Sequence, residues 1–200
     1  MKSKFIVFFV IFAVIAITIG VVFIFIPSDT FTQNNNEVSD NAISAEVVSA
    51  LRSAGISTRT QGAEPIDFML PLLDGTDFTL SQQKGKVVFL NFWATWCPPC
   101  RDEMPSMEAL YQRFKDSGLE IIAVNLRESN SEVEAFMNQY NLTFPAALDS
   151  RGTVGAIYNV RAIPTTYIID KRGLIVGQLV GSIDWNTPRV IAAFEALLAE

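Results

Sequence analysis

Val87-Val88-Phe89-Leu90-Asn91-Phe92-Trp93-Ala94-Thr95-Trp96-Cys97-Pro98-Pro99-Cys100 holds both cysteines of the chain, directly behind an apolar run. The run 87–92 predicts a buried central strand, with a helix starting after Cys97. A thiol pair at that junction meets the free N–H donors and the positive dipole end of the helix, and both favour a thiolate. The placement suits a redox couple better than a structural staple.

Residue types narrow the chemistry. A zinc site takes four ligands, mainly Cys and His, whereas this chain has two Cys and no His. The absence of His also removes the usual general base of Ser and Cys hydrolases. A structural disulfide is the plain alternative, although a bridge closing so short a loop removes little unfolded-chain entropy. Thiol–disulfide exchange needs only two sulfurs and a proton acceptor.

The flanking pattern alternates strands and helices. Asp67-Phe68-Met69-Leu70 and Asp77-Phe78-Thr79-Leu80 flank Asp74-Gly75, a hairpin signal. The helix after Cys97 carries Met104, Met107, Leu110, Tyr111 and Phe114 on one face; Pro105 should kink it and Gly118 ends it. Further strands are expected at 121–126, 145–148, 166–169 and 174–180, and further helices at 131–140, 154–158 and 188–198. This order implies an α/β domain, a mixed central sheet with helices on both faces.

The string Phe92-Trp93-Ala94-Thr95-Trp96-Cys97-Pro98-Pro99-Cys100-Arg101-Asp102-Glu103-Met104-Pro105 resembles the active site of thioredoxin-fold oxidoreductases, in particular the membrane-anchored TlpA/ResA/CcmG branch. Ile122-Ala123-Val124-Asn125 and Ile163-Pro164-Thr165-Thr166-Tyr167-Ile168-Ile169-Asp170 extend the resemblance, which covers residues 65–200. It implies a thioredoxin fold with an N-terminal β-hairpin, and a Cys97–Cys100 disulfide in the oxidised state. Cys97 would be the attacking thiol and Cys100 the resolving one. Glu103 would lie by the cysteines and tune their protonation, with a solvated helix glutamate as the plain alternative. Pro164 matches the family's cis-proline, and with Ile163, Trp96 and Pro98 it would form the surface that an extended client meets.

No cofactor and no metal are implied. Trp93 and Trp96 are read as packing and shielding around the sulfurs, and Glu128 as a further residue lining the site. Asn91 departs from cytoplasmic thioredoxins, which carry a buried Asp there; an amide cannot take up the proton. The implied partners are client proteins with exposed disulfides, apocytochrome c among them, and a membrane thiol reductase as electron donor. Direction remains open, because about 30 mV of potential already corresponds to about 1.4 kcal/mol. Two other readings stand beside this one: a redoxin-type thiol peroxidase, since 65–80 also resembles that superfamily's lead-in, and a tethered interaction module with a static disulfide. Against the peroxidase, Trp93-Ala94-Thr95-Trp96 lacks the proline such a site places ahead of its cysteine.

Toward the N-terminus, residues 5–26 are 22 consecutive residues without a charge. As a helix they span about 33 Å, enough for a hydrocarbon core of about 30 Å. A cleaved signal peptide competes, but its apolar stretch is usually only about 7–15 residues and ends at a small-x-small site. Lys2 and Lys4 precede the span and the next basic residue is Arg52. The positive-inside rule keeps residues 1–4 cytoplasmic and exports the rest, to an oxidising compartment where a disulfide persists. Residues 27–62 read as a polar tether with a short amphipathic helix within 42–54, capped by Asp40 or Asn41 and ended by Gly55. The thioredoxin-like domain is expected at 63–200. Beyond residue 26 stand 13 basic against 21 acidic residues, a net charge of −8. Such a balance argues against nucleic acid as a partner; the lipid bilayer is met through 5–26 alone.

Overall fold

A computed structural model describes residues 41–200. In order these form α1 (Ala45–Ser53), β1 (Ser57–Ala63), β2 (Met69–Pro71), β3 (Asp77–Thr79), β4 (Val87–Trp93), α2 (Pro98–Phe114), β5 (Leu119–Leu126), α3 (Asn130–Gln139), β6 (Ala146–Asp149), α4 (Thr153–Ile157), β7 (Thr165–Ile169), β8 (Ile175–Val180) and α5 (Pro188–Ala199). The expected membrane span 5–26, the segment 1–4 and most of the tether's first half lie outside the described residues. Among the described residues no helix is long and apolar enough to cross a membrane.

All seven residues of β4 are buried, and their alternation divides the core. Val87, Phe89 and Trp93 join one cluster, Val88, Leu90 and Phe92 the other. The six-stranded sheet runs β1-β8-β7-β4-β5-β6, with β4, β5 and β6 parallel and β7, β8 and β1 joined antiparallel. The first cluster gathers apolar faces of α1, α2, α3 and α5. The second takes Phe68, Leu70 and Phe78 of the β2–β3 hairpin with Val154 of α4 and Tyr158. Helices therefore lie on both faces, as expected, although among the described residues α4 is the only α-helix in the second cluster. The hairpin turns at Gly75, whose φ of 85° needs a residue without Cβ. It also covers the β6 edge, where Leu73 N–H donates to the Ala146 carbonyl at 3.2 Å.

The expected boundary at residue 63 is corrected. α1 is a docked helix: Val47 and Leu51 are buried, and Ile56 beyond its end joins the same cluster. Its N-cap is Ser44, whose hydroxyl accepts from Val47 N–H at 3.2 Å, so neither Asp40 nor Asn41 caps it. Gly55 follows the helix with φ 83°, as expected. β1 then pairs with β8 as an edge strand of the main sheet. The N-terminal end of the described chain is tied to the β7–β8 turn, where Arg172 Nη1 donates to the Ala42 carbonyl at 2.9 Å. Residues 41–62 thus belong to the folded unit and are no tether. Leu51→Ala is expected to lower stability by about 2–5 kcal/mol, the cost of a cavity in a packed core. A loss below about 0.5 kcal/mol in urea unfolding would show that α1 is undocked.

Candidate active site

α2 begins where β4 ends, and the two prolines Pro98 and Pro99 occupy its first turn, where no backbone donor is needed. Cys97 is the N-cap of that helix: its Sγ accepts from Cys100 N–H at 3.3 Å. The two cysteines are disulfide-bonded. Both are buried: Cys97 keeps 3% of its surface exposed and Cys100 none, so Cys97 is the outer of the two. Across from it the Ile163–Pro164 peptide is cis, and the Ile163 carbonyl oxygen stands 3.7 Å from Cys97 Sγ. Pro164 itself is buried, Ile163 half-buried and Pro98 exposed.

The tryptophans divide. Trp93 packs inside against the Phe136 ring, with centroids 5.0 Å apart. Trp96 is not packed in the core as expected: 67% of it is exposed. It remains available as an apolar contact for a client.

Glu103 is no solvated helix residue. Only 2% of it is exposed, and three donors converge on its carboxylate. Asn91 Nδ2 reaches Oε1 at 3.0 Å, Trp185 Nε1 reaches Oε2 at 2.9 Å, and the Ile183 backbone N–H is the third. Burial outweighs these donors and pushes its pKa up from 4.5 to about 7. Asn91, which also donates to Thr166 Oγ1 at 3.0 Å, therefore replaces no acid itself but holds the one on the neighbouring helix. Ser106 completes the contact with the loop before α5, accepting from Trp185 N–H at 3.0 Å and donating to the Glu103 carbonyl at 2.8 Å. Trp185 and Ile183 were not anticipated; their separation from Glu103 in sequence leaves no local signal.

A folded-state pKa above the unfolded one has a definite sign. Between pH 4.5 and about 7 the folded protein keeps a proton that the unfolded chain has released. The contribution of Glu103 is therefore greatest below pH 4.5, declines as pH rises to about 7, and is flat above that. The loss amounts to about 3 kcal/mol. Glu103→Gln is expected to remove this decline, read as the difference in urea midpoint between pH 5 and pH 8. Equal differences in both proteins would show that the carboxyl titrates as it does in the unfolded chain.

Glu128 meets the turn that precedes Cys97. Oε2 accepts from Thr95 N–H and from Asn125 Nδ2, each at 2.7 Å, and Oε1 accepts from the Thr95 hydroxyl. Arg127 adopts φ 64° at the end of β5, immediately before it. The carboxylate clamps the Thr95 turn ahead of Cys97, with both oxygens engaged.

The arrangement can hold a thiolate at Cys97, resolve it with Cys100 and store a proton at Glu103. Known proteins resemble the chain over more than half of its length. The AhpC/TSA family matches residues 62–178. A thiol-disulfide oxidoreductase ResA from Bacillus thuringiensis is 45% identical over 120 residues, 60% of this chain and 69% of that one. The thioredoxin-like protein YneN of Bacillus subtilis is 46% identical over 126 residues, 62% and 73% of the two chains. Among solved structures, a putative thiol:disulfide interchange protein DsbE from Chlorobium tepidum superimposes with a TM-score of 0.63 at 34% identity, over 68% of this chain and 96% of that one.

Proposed function

The chain belongs to the AhpC/TSA family and is a thiol–disulfide oxidoreductase of thioredoxin fold, and from that premise we propose where it works and on what. It is held in a membrane by residues 5–26, with the redox domain outside the cytoplasm, and it reduces disulfides of exported client proteins. Apocytochrome c is the client class that the resemblance to the ResA and CcmG branch supports. A membrane thiol reductase returns the electrons.

The observation that carries the reading is Cys97 as the N-cap of α2, its sulfur facing a backbone N–H on one side and the Ile163 carbonyl on the other. The reduced Cys97 thiolate attacks one sulfur of the client disulfide; the other leaves as a thiolate and takes a proton. Cys100, deprotonated in its turn, attacks Cys97 Sγ and expels the client's second sulfur. The client gains two electrons and two protons, and the protein is left as the Cys97–Cys100 disulfide. Glu103, one turn beyond Cys100, is the buried group in a position to take the resolving proton. Trp96 and Pro98, exposed beside Cys97, offer apolar contact to an extended client. A peroxidase reading gains nothing from Thr95, whose hydroxyl and N–H are both committed to Glu128.

Two measurements test the proposal. Reduced protein should reduce a haem-site peptide bearing a Cys-x-x-Cys-His disulfide stoichiometrically, with no hydrogen peroxide consumed. Protease added outside intact spheroplasts should digest the domain. Retention of the peptide disulfide defeats the client assignment; a protected domain defeats the topology.

A further inference from the structure

We propose that Asn91 is a positioning residue that switches with the proton on Glu103: its side-chain amide turns over by half a rotation when Glu103 passes between its ionised and neutral forms. The inference deepens the reading of a cycling thiol pair and rests on it for its role in turnover.

Three groups face the Glu103 carboxylate, and all three are donors: Asn91 Nδ2, Trp185 Nε1 and the Ile183 N–H. That set fits an ionised carboxylate, which only accepts. A protonated Glu103 brings a fourth donor and meets no acceptor among them. The indole N–H and the backbone N–H cannot change character. The amide of Asn91 can, because its other end is an acceptor. That oxygen, Oδ1, is buried and has no hydrogen-bond partner. One rotation about the last side-chain torsion exchanges the two ends, bringing Oδ1 to the Glu103 hydroxyl. Thr166 follows, since the hydroxyl that now accepts from Asn91 Nδ2 can donate to Oδ1 instead. Each orientation leaves one end of the amide unpaired, so the proton on Glu103 decides between them.

The surroundings suit a proton that comes and goes. Glu103 borders a surface groove with Asp102, Ser106, Ser182, Ile183 and Asp184, which opens a way to solvent. On α2 the titratable neighbours are Cys100 and Asp102, and on the loop before α5 Asp184. Arg189 of α5 shares an adjoining groove with Asp184, and β4 and β7 present only Asn91 and Thr166. In the oxidised protein the cysteines do not titrate, so Glu103 can be followed alone.

The test uses the full oxidised chain in a mild detergent, labelled with 13C at the Glu carboxyl carbon and 15N at the Asn side-chain amide. Between pH 5 and 9 the Glu103 carboxyl shift should move through one midpoint. The nuclear Overhauser contact between the Asn91 amide protons and the Thr166 side chain should be present above that midpoint and lost, at least several-fold, below it. Glu103→Gln presents a permanent N–H donor, so its Asn91 should lack the contact at every pH. A contact that persists unchanged while Glu103 titrates overturns the proposal, as does a Glu103 that does not titrate in this range. If the variant does not fold, the wild-type titration decides by itself. No client is present, so the result is independent of whether the chain reduces the clients proposed above.

Discussion

Cys100→Ser protein is expected to stop after the first step, with the client held covalently on Cys97 and steady-state reduction lowered by roughly three orders of magnitude or more. Cys97 remains the helix N-cap in this variant, so its thiolate still forms and still attacks. The second attack depends on a thiol fixed three residues away on the same helical turn, and an external thiol has no comparable local concentration. Serine buries a hydroxyl where Cys100 has no exposed surface, at a cost of about 1–3 kcal/mol, so folding is checked by a melting curve. The measurement is non-reducing electrophoresis after mixing with client, followed by mass spectrometry of the adduct. Cys97→Ser should give no adduct at all. Adduct on Cys100 in that variant, or near-normal turnover by Cys100→Ser, would reverse the assignment of attacking and resolving thiols.

Trp185→Ala is expected to be the most damaging single change outside the cysteines. Its ring is fully buried and meets the Phe89 ring edge-on, with centroids 4.6 Å apart. Truncating such a side chain usually costs about 3–5 kcal/mol. Against a total stability of about 5–15 kcal/mol, this is a large share. The same change opens the burial that raises the Glu103 pKa and removes a donor that lowers it, so its two effects on the carboxyl oppose each other. Trp185→Phe separates the two effects: it keeps most of the packing but lacks the N–H. It should lose far less stability and raise the Glu103 pKa, because the burial stays and the donor goes. Urea unfolding reads the first quantity and the carboxyl 13C titration the second. A loss below about 1 kcal/mol for Trp185→Ala would mean that the loop before α5 is not part of the core.

What could be read from the sequence follows physical lines. β4 and the hairpin were legible because a strand buried on both faces must be continuously apolar, and Asp-Gly marks a turn whatever surrounds it. The sulfur pair was legible for the same reason, since strand and helix fix the junction between them. β1 was not. Ser57-Thr58-Arg59-Thr60-Gln61-Gly62-Ala63 is an edge strand with most of its surface in solvent, so no alternation betrays it, and Ile56 just before it supplies the buried anchor. The docked state of α1 was equally hidden, because Val47 and Leu51 show an apolar stripe without saying what covers it. Glu103 shows the limit most sharply. Its place three residues after Cys100 was visible, but a glutamate on a helix reads as solvated unless its cover is known, and that cover comes from a loop some eighty residues later. Trp96 failed in the opposite sense: its apolar character suggests packing, yet it is exposed.

The tie between Arg172 and Ala42 has a practical side. β7 runs antiparallel to β4, pairing Val88 with Ile169 and Phe92 with Thr165, so the β7–β8 turn lies at the pole where β4 begins. Cys97 lies past the other end, about 20 Å away along the strand. Residue 41 therefore lies at the far pole from the sulfurs. A sensor chip, a bead or a fused fluorescent protein coupled there leaves the reactive face toward the solution. Clients should still react with the protein immobilised this way, whereas coupling through the loop around Ala162 would block them.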